Sequence, residues 1–375
     1  MKSKKILISG YYGFDNFGDE AILYALVSEI KKNINNSKIT AISNNPDKTS
    51  KNHNINSIYK FDFKKNFYEM KNADLFISGG GSLLQDVTSF KSLLYYLSLI
   101  FLAKILNKKI YIYAQGIGPV KSKLGRILTG FTLKKVDLIT VRDKESSDFL
   151  KVLGVKNSII TTDSAWGIDK NIKHKEKFII TKEKLNIGIQ LRDWCLLTEE
   201  KLKNLAYSLN KNLKDLNFQL ILISLQDSKD LDILRNLEKI LKSLNPDLDI
   251  QLIAGQSIFK NISLISQLDY LVAMRYHAIL ISIKYSIPVF CISYDPKTEN
   301  LSKEAEILHT LANEMNEKEL TSKIQKLIAK DYNYKDKLRD FSSKKERKSR
   351  QNIDLLIKII NEQSNSKKRL KNWTK

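Results

Sequence analysis

The chain has 375 residues, 42 % apolar and 28 % charged, with 14 glycines and 5 prolines. At roughly 100–200 residues per domain this length suggests two domains. The composition excludes collagenous, low-complexity and intrinsically disordered chains. Two cysteines, Cys195 and Cys291, cannot build a disulfide framework or a four-thiolate zinc site. They read as core thiols, and a reducing compartment is the default. The formal charge is +22, from 63 Lys and Arg against 41 acids, yet only nine of the bases are arginine. Base readout and phosphate forks favour arginine's planar geometry, so no nucleic-acid partner is expected and each arginine is worth locating.

The first apolar run, Ile6 to Ile8, is far shorter than the roughly 7–15 residues of a signal-peptide core and reads as a strand. Residues 5–9 form that strand and end in a glycine-rich turn; 19–32 follow as a helix with Ile22, Leu26 and Ile30 on one stripe. Further strands are expected at 38–43, at 74–78 ahead of Gly79-Gly80-Gly81, and at 109–113 ahead of Gln115-Gly116-Ile117-Gly118-Pro119. Two more follow at 138–141, ahead of Arg142-Asp143, and at 159–162. The most apolar stretch, 93–106, is interrupted by Lys104, falls short of the ~20 residues that span a bilayer, and reads as a buried or partly interfacial helix. Residues 167–185 are polar, lysine-rich and linker-like. A second alternating series has strands at 186–191, 218–224, 249–253, 269–273 and 289–293, with helices at 198–216, 227–244 and up to Tyr285. A terminal helix is expected at 346–361, followed by a basic tail. Strand–helix alternation is the signature of parallel α/β architecture. The expected organisation is a first Rossmann-like domain at 1–180, a second at 181–345, and a helix with tail at 346–375.

Ligands of open α/β sheets bind beyond the carboxyl ends of the strands. Arg142, Arg192 and Arg275 all fall at such ends, Lys297 at a fourth, and His277 two residues after Arg275. Converging cations suit an anionic substrate. Arg142 and Arg192 each also have an acid next door, Asp143 and Asp193, so an ion-pair reading stands beside the ligand reading. His277 is the candidate general acid/base, since histidine titrates nearest neutral pH. His53, His174 and His309 read as solvent-exposed. The first turn, Gly10-Tyr11-Tyr12-Gly13-Phe14-Asp15-Asn16-Phe17-Gly18-Asp19-Glu20, has neither a Walker lysine nor the dinucleotide fingerprint. It leads into a helix N-terminus, a suitable anion or sugar site, and Asp19 reads equally as a cap. Gly79–Ser82 offers either amides for a ligand or a flexible strand exit, and Gly116–Pro119 reads as a rigid turn. No residues have metal-ligand spacing, so no metal and no cofactor are expected.

The order of these pieces resembles one family. The first turn with Ala21, then Gly79-Gly80-Gly81, Ala114-Gln115-Gly116-Ile117-Gly118-Pro119, Val141-Arg142-Asp143, Met274-Arg275-Tyr276-His277 and Ser293-Tyr294-Asp295-Pro296-Lys297 together are similar to the bacterial cell-wall polysaccharide pyruvyl transferases of the CsaB type. The likeness runs over about residues 5–340. It implies an α/β fold of two Rossmann-like domains with parallel sheets facing across a cleft, the GT-B-like arrangement. It also implies transfer of the enolpyruvyl group of phosphoenolpyruvate to a sugar, a lipid-linked N-acetylmannosamine in this type, to form a cyclic ketal in cell-wall synthesis and S-layer anchoring. On that pattern His277, Arg275 and Lys297 are catalytic, and Arg192 and Arg142 bind substrate, although Arg142 reads equally as ordering the cleft. Asp15, Asn16, Gly18, Asp19, Gly80, Gly81, Ser82 and Gln115 would face the acceptor. Phosphoenolpyruvate enters as co-substrate. The expected location is cytoplasmic, with the basic tail reaching an anionic inner membrane face. The alternative on the same architecture is a sugar-nucleotide-dependent glycosyltransferase of cell-envelope polysaccharide synthesis.

Overall fold

The computed structural model describes residues 3–174, 176, 178, 180, 181, 183–329 and 332–373; the side chains of 173, 174, 332, 333 and 362–373 fall outside that description. The chain makes two compact units, Met1–Ile168 with Lys345–Lys375, and Asp169–Lys344.

In the first unit the order is β1 (Lys4–Ser9), α1 (Phe17–Asn33), β2 (Ser37–Ser43), α2 (Pro46–His53), β3 (Asn56–Tyr59), α3 (Phe63–Asn72), β4 (Leu75–Ser78), β5 (Gly81–Leu84), α4 (Phe90–Ile105), β6 (Lys109–Ile117), α5 (Lys123–Leu133), β7 (Leu138–Val141), α6 (Lys144–Val152) and β8 (Ser158–Ile160). Its sheet runs β3-β2-β1-β4-β6-β7-β8, with β5 beside β6. All its strand pairs are parallel. Helices cover a parallel sheet on both faces, so its central strands are near-continuous apolar runs. Ile6, Leu7 and Ile8, for example, are all buried.

The second unit runs β9 (Leu185–Gln190), α7 (Glu199–Leu213), β10 (Phe218–Ile223), α8 (Asp227–Leu244), β11 (Ile250–Ile253), α9 (Ile258–Ile265), β12 (Tyr270–Ala273), α10 (Tyr276–Lys284), β13 (Val289–Ser293), α11 (Pro296–Glu304), β14 (Leu308–Leu311) and α12 (Glu317–Ile328). Its all-parallel sheet has the order β11-β10-β9-β12-β13-β14, the dinucleotide-fold order 3-2-1-4-5-6. Polar caps start many of the helices: Thr198 accepts from the Lys201 amide, as its position predicts, and Asp143 and Asp295 do the same for α6 and α11.

The last helix, α13 (Tyr332–Trp373), is much longer than the expected 346–361. Its apolar stripe is short, so periodicity alone finds only the part that buries Ile353, Leu356, Ile359 and Ile360 in the first unit. Asn352, fully buried, fixes that docking: its carbonyl accepts from the Tyr111 hydroxyl at 3.1 Å, and its side chain joins Thr161 and the Thr162 carbonyl. Tail side chains from residue 362 onward lie outside the described residues, so the expected lipid contact of the tail has no structural account. Among the described residues no helix is long and apolar enough to cross a membrane.

Candidate active site

Each sheet reverses its strand order once, between β1 and β4 in the first unit and between β9 and β12 in the second, and that point is where open α/β sheets hold ligands.

In the second unit the neighbouring ends carry Arg192 and Arg275. Arg275 is almost buried, and its guanidinium is gripped by the buried carboxylate of Asp230 on α8: Nε donates to both oxygens at 3.1 and 2.9 Å, and Nη2 to Oδ1 at 2.5 Å. Asp230 also accepts from the amides of Leu225 and Gln226 and from the Gln190 side chain, whose Oε1 takes the Arg275 amide at 2.8 Å. Arg275 therefore welds β9, β12 and α8 together at the start of α10. Through Nε and Nη2 it positions the site, a bracing role beside the catalytic one expected of it. It is the N-cap residue of α10 and makes no side-chain cap bond. The first-turn amides, with the positive end of the helix dipole, thus come beside His277. The His277 ring packs edge-on to Tyr276, with centroids 5.1 Å apart.

Arg192 is different. It forms no ion pair with Asp193 or any other described carboxylate, which disposes of the ion-pair reading for it. Its guanidinium lies over Tyr294 and Trp194, 5.0 and 5.6 Å from the ring centroids, and Nη1 donates to the Tyr294 hydroxyl at 3.1 Å. Nε is buried without a partner among the described residues. A planar cation held on aromatic faces with a donor to spare has the chemistry to take an anion. Tyr294 also lines a hollow of about 210 Å³ at the ends of β13 and β14, with Leu196, Asp295 and Pro296. Lys297, half-exposed at the start of α11, pairs with Asp295 at 3.2 Å.

The first unit's switch point is filled by its own side chains. Tyr12 is buried against Gly10 and Gly79, where an added Cβ would come within 2.2 and 2.1 Å of its ring and hydroxyl. Gly81, at φ 90°, clears Asp19, whose Oδ1 would lie 2.9 Å from a Cβ there. The glycine run is thus close packing that leads straight into β5, and not a flexible exit. Burial, and after it the charge of Asp19, pushes the hydroxyls of Tyr11, Tyr12 and Tyr96 above their usual range, so Asp19 sits among three tyrosines. The α1 cap is Asn16, which accepts from Gly18 at 3.0 Å, so Asp19 is left as a first-turn acid. Asp15 is exposed and paired with Lys48. Gln115 points inward, donating to Ser78 and the Gly79 carbonyl, and so braces β4 on β6 instead of facing an acceptor.

Arg142 is caged. It reaches the buried Asp163 and Asp143, both at 3.3 Å, and donates to Ser82 at 2.9 Å. A Cβ on Gly116 would come within 2.6 Å of it, so that glycine is a contact and not merely a turn. Arg142 thus braces β5, β7 and the Asp163 turn within the first unit, and Ser82 is part of that cage. Other histidine and cysteine expectations shift too. His53 is buried, with Nε2 at 2.7 Å from Glu20, whose other oxygen takes the Gly13 amide. His309 is half-buried against the Ile307 carbonyl, and the His174 side chain lies outside the described residues. Cys195 is exposed; Cys291 is the core thiol, pushed up to about 11 by burial. Among the described residues no three His, Cys, Asp or Glu side chains group as a metal site requires.

The sequence model of polysaccharide pyruvyl transferases matches residues 16–296, three quarters of the chain. The chain belongs to the polysaccharide pyruvyl transferase family. It is a transferase enzyme. No curated protein matches it significantly in sequence. In structure it is similar to UDP-GlcNAc 2-epimerase from Neisseria meningitidis bound to UDP-GlcNAc (TM-score 0.63, 13 % identity, 94 % of this chain and 100 % of that one). It is similar also to the epimerase of Methanocaldococcus jannaschii (0.65, 10 %, 96 % and 99 %) and to Anabaena HepE in complex with UDP and glucose (0.61, 13 %, 97 % and 100 %). At these identities the likeness shows the fold, and the GT-B-like class expected of this transferase holds.

In this transferase Arg192, Arg275, His277 and Lys297 share the carboxyl edge of one sheet, while Asp19, Gly81 and the tyrosines meet at the other sheet's switch point. Sequence reasoning missed Asp230, Tyr294 as the seat of Arg192, and the Glu20–His53 strut. Asp230 had a weak signal as an acid in the first turn of a helix after a strand; the other two become visible only in three dimensions.

Proposed function

We propose that this transferase binds phosphoenolpyruvate at the second unit's switch point and forms a cyclic pyruvyl ketal on a sugar, a lipid-linked N-acetylmannosamine. The observation that carries the reading is Arg192, a guanidinium with no carboxylate partner and an unsatisfied Nε among the described residues, seated on Tyr294 and Trp194. A compact anion with one phosphate and one carboxylate suits that donor, the open first turn of α10 and the half-exposed ammonium of Lys297.

In this mechanism His277 delivers a proton to the methylene carbon, leaving the adjacent carbon electron-poor. One sugar hydroxyl bonds there; the second then displaces phosphate and closes the ring. Of the two hydroxyl protons, one restores His277 and the other leaves with phosphate. Arg192, Lys297 and the α10 amides stabilise charge on the departing phosphate and the carboxylate. Arg275 holds β12 and α10 in place through Asp230. The acceptor rests on the motif-level likeness to cell-wall transferases, and the reaction is placed at the cytoplasmic membrane face, where phosphoenolpyruvate and a lipid-linked sugar meet.

The test mixes the protein, phosphoenolpyruvate and a lipid-diphosphate-linked N-acetylmannosamine disaccharide. Stoichiometric phosphate release with a product heavier by one pyruvyl ketal is expected. Absence of turnover on every N-acetylhexosamine acceptor, with thermal stabilisation by a sugar nucleotide and none by phosphoenolpyruvate, would replace it by the glycosyltransferase reading.

A further inference from the structure

We infer that the joined outward faces of α4 and α5 are a docking surface for a lipid bilayer with anionic headgroups. On α4 the water-facing stripe is Lys91, Leu94, Ser98, Phe101 and Ile105; on α5 it includes Leu124, Ile127 and Phe131. Their spacing of three and four residues puts each set on one helix face. A surface helix ordinarily turns charged residues to water on that side, yet these six apolar side chains are 37–67 % exposed. The two stripes adjoin: Phe101 and Phe131 are 6.3 Å apart, and α5 comes so near α4 that a Cβ on Gly125 would lie 3.1 Å from Leu93. By contrast, among the described residues the second unit exposes only Leu196, Tyr207 and Leu216 as large apolar side chains.

Charge selects the occupant. From Val87 to Val136 the chain holds nine Lys and Arg and not one Asp or Glu, in 50 residues. Lys135 sits over the Phe131 ring at 3.9 Å, an ammonium at the margin of the apolar stripe. Asp137 pairs with Lys109 and Asp86 is taken up by Lys121 and Ser122, so two copies meeting through this face would bring mainly cation against cation, which disfavours self-association. Aromatic and aliphatic side chains ringed by lysine match the boundary between acyl chains and anionic headgroups, where apolar burial and lysine attraction add. This surface is separate from the basic tail and independent of the proposed chemistry.

Flotation of the full chain with phosphatidylcholine vesicles, with and without phosphatidylglycerol, tests it. Binding is expected with phosphatidylglycerol and is expected to weaken as salt rises. The triple variant Phe101→Ser, Ile127→Ser, Phe131→Ser, assayed at a temperature where its circular-dichroism spectrum matches wild type, is expected to bind about tenfold or more weakly. Lys134→Glu with Lys135→Glu should lose binding to the anionic vesicles selectively. Three results overturn the assignment: no vesicle binding by the wild type; wild-type binding by the triple variant, with loss on deleting Lys367–Lys375, which moves the contact to the tail; or conversion by the triple variant of a dimer to a monomer, which makes the face a self-interface.

Discussion

Arg142 and Arg192 occupy equivalent places, each just past the carboxyl end of a parallel strand and each followed by an aspartate. In the first unit the arginine is closed in by Asp143, Asp163 and Ser82, and the switch point is plugged by Tyr12. In the second the neighbouring acid is not used, and the arginine rests on two aromatic rings with a donor to spare. A strand-end arginine keeps a donor for other partners only where no buried acid answers it. Arg275 shows the intermediate case, an arginine whose buried partner Asp230 makes it a brace for the residue that follows.

The largest effect should fall on chemistry in the second unit alone. His277→Ala is expected to lower turnover by about 10²–10⁴, the usual contribution of a general acid, while phosphoenolpyruvate still binds by calorimetry. Turnover at the wild-type rate would assign the proton to another group. Next comes the caged arginine. Arg142→Ala removes the cation facing buried Asp163, and breaking such a pair destabilises by about 3–5 kcal/mol, read as a fall in the urea midpoint. Arg192→Ala should show the reverse pattern. Its midpoint should move little, whereas losing charge-assisted bonds worth about 1.5–3 kcal/mol should weaken phosphoenolpyruvate roughly 10–100-fold. If the two variants behaved alike, the contrast between the switch points would collapse.

These differences also mark what the sequence could carry. The alternation of short apolar strands with helices was enough for the fold class, because parallel strands buried on both faces leave a strong apolar signal, as at β13 and β7. Of the edge strands, β8 and β11 were expected but β3 and β14 were not: β3 is half-exposed and polar, and β14 contains a histidine. Nor was β5, hidden behind three glycines that look like a loop until Tyr12 and Asp19 are seen packed on them. For the site, strand-end position brought out Arg192, Arg275, His277 and Lys297. It could not say which cations were already neutralised, since Asp163 and Asp230 lie 21 and 45 residues from their partners. Inward-turned Gln115 and the Asn16 cap illustrate the same limit, since a side chain's direction is set by packing and not by its place in a motif.

The smallest prediction tests whether the first switch point is closed by packing. The Tyr12 hydroxyl has no partner among the described residues, so Tyr12→Phe removes no hydrogen bond and should leave the melting temperature within error of wild type or raise it slightly. Gly79→Ala sets a methyl 2.1 Å from that hydroxyl and should cost about 1–3 kcal/mol by overpacking. In the double variant the hydroxyl is gone and the nearest ring carbon stands 3.3 Å away, so much of the loss should return. The coupling energy from the double-mutant cycle is then positive for stability and of the order of 1 kcal/mol. Strict additivity would mean that the tyrosine swings aside in the single variant and that packing does not close this switch point.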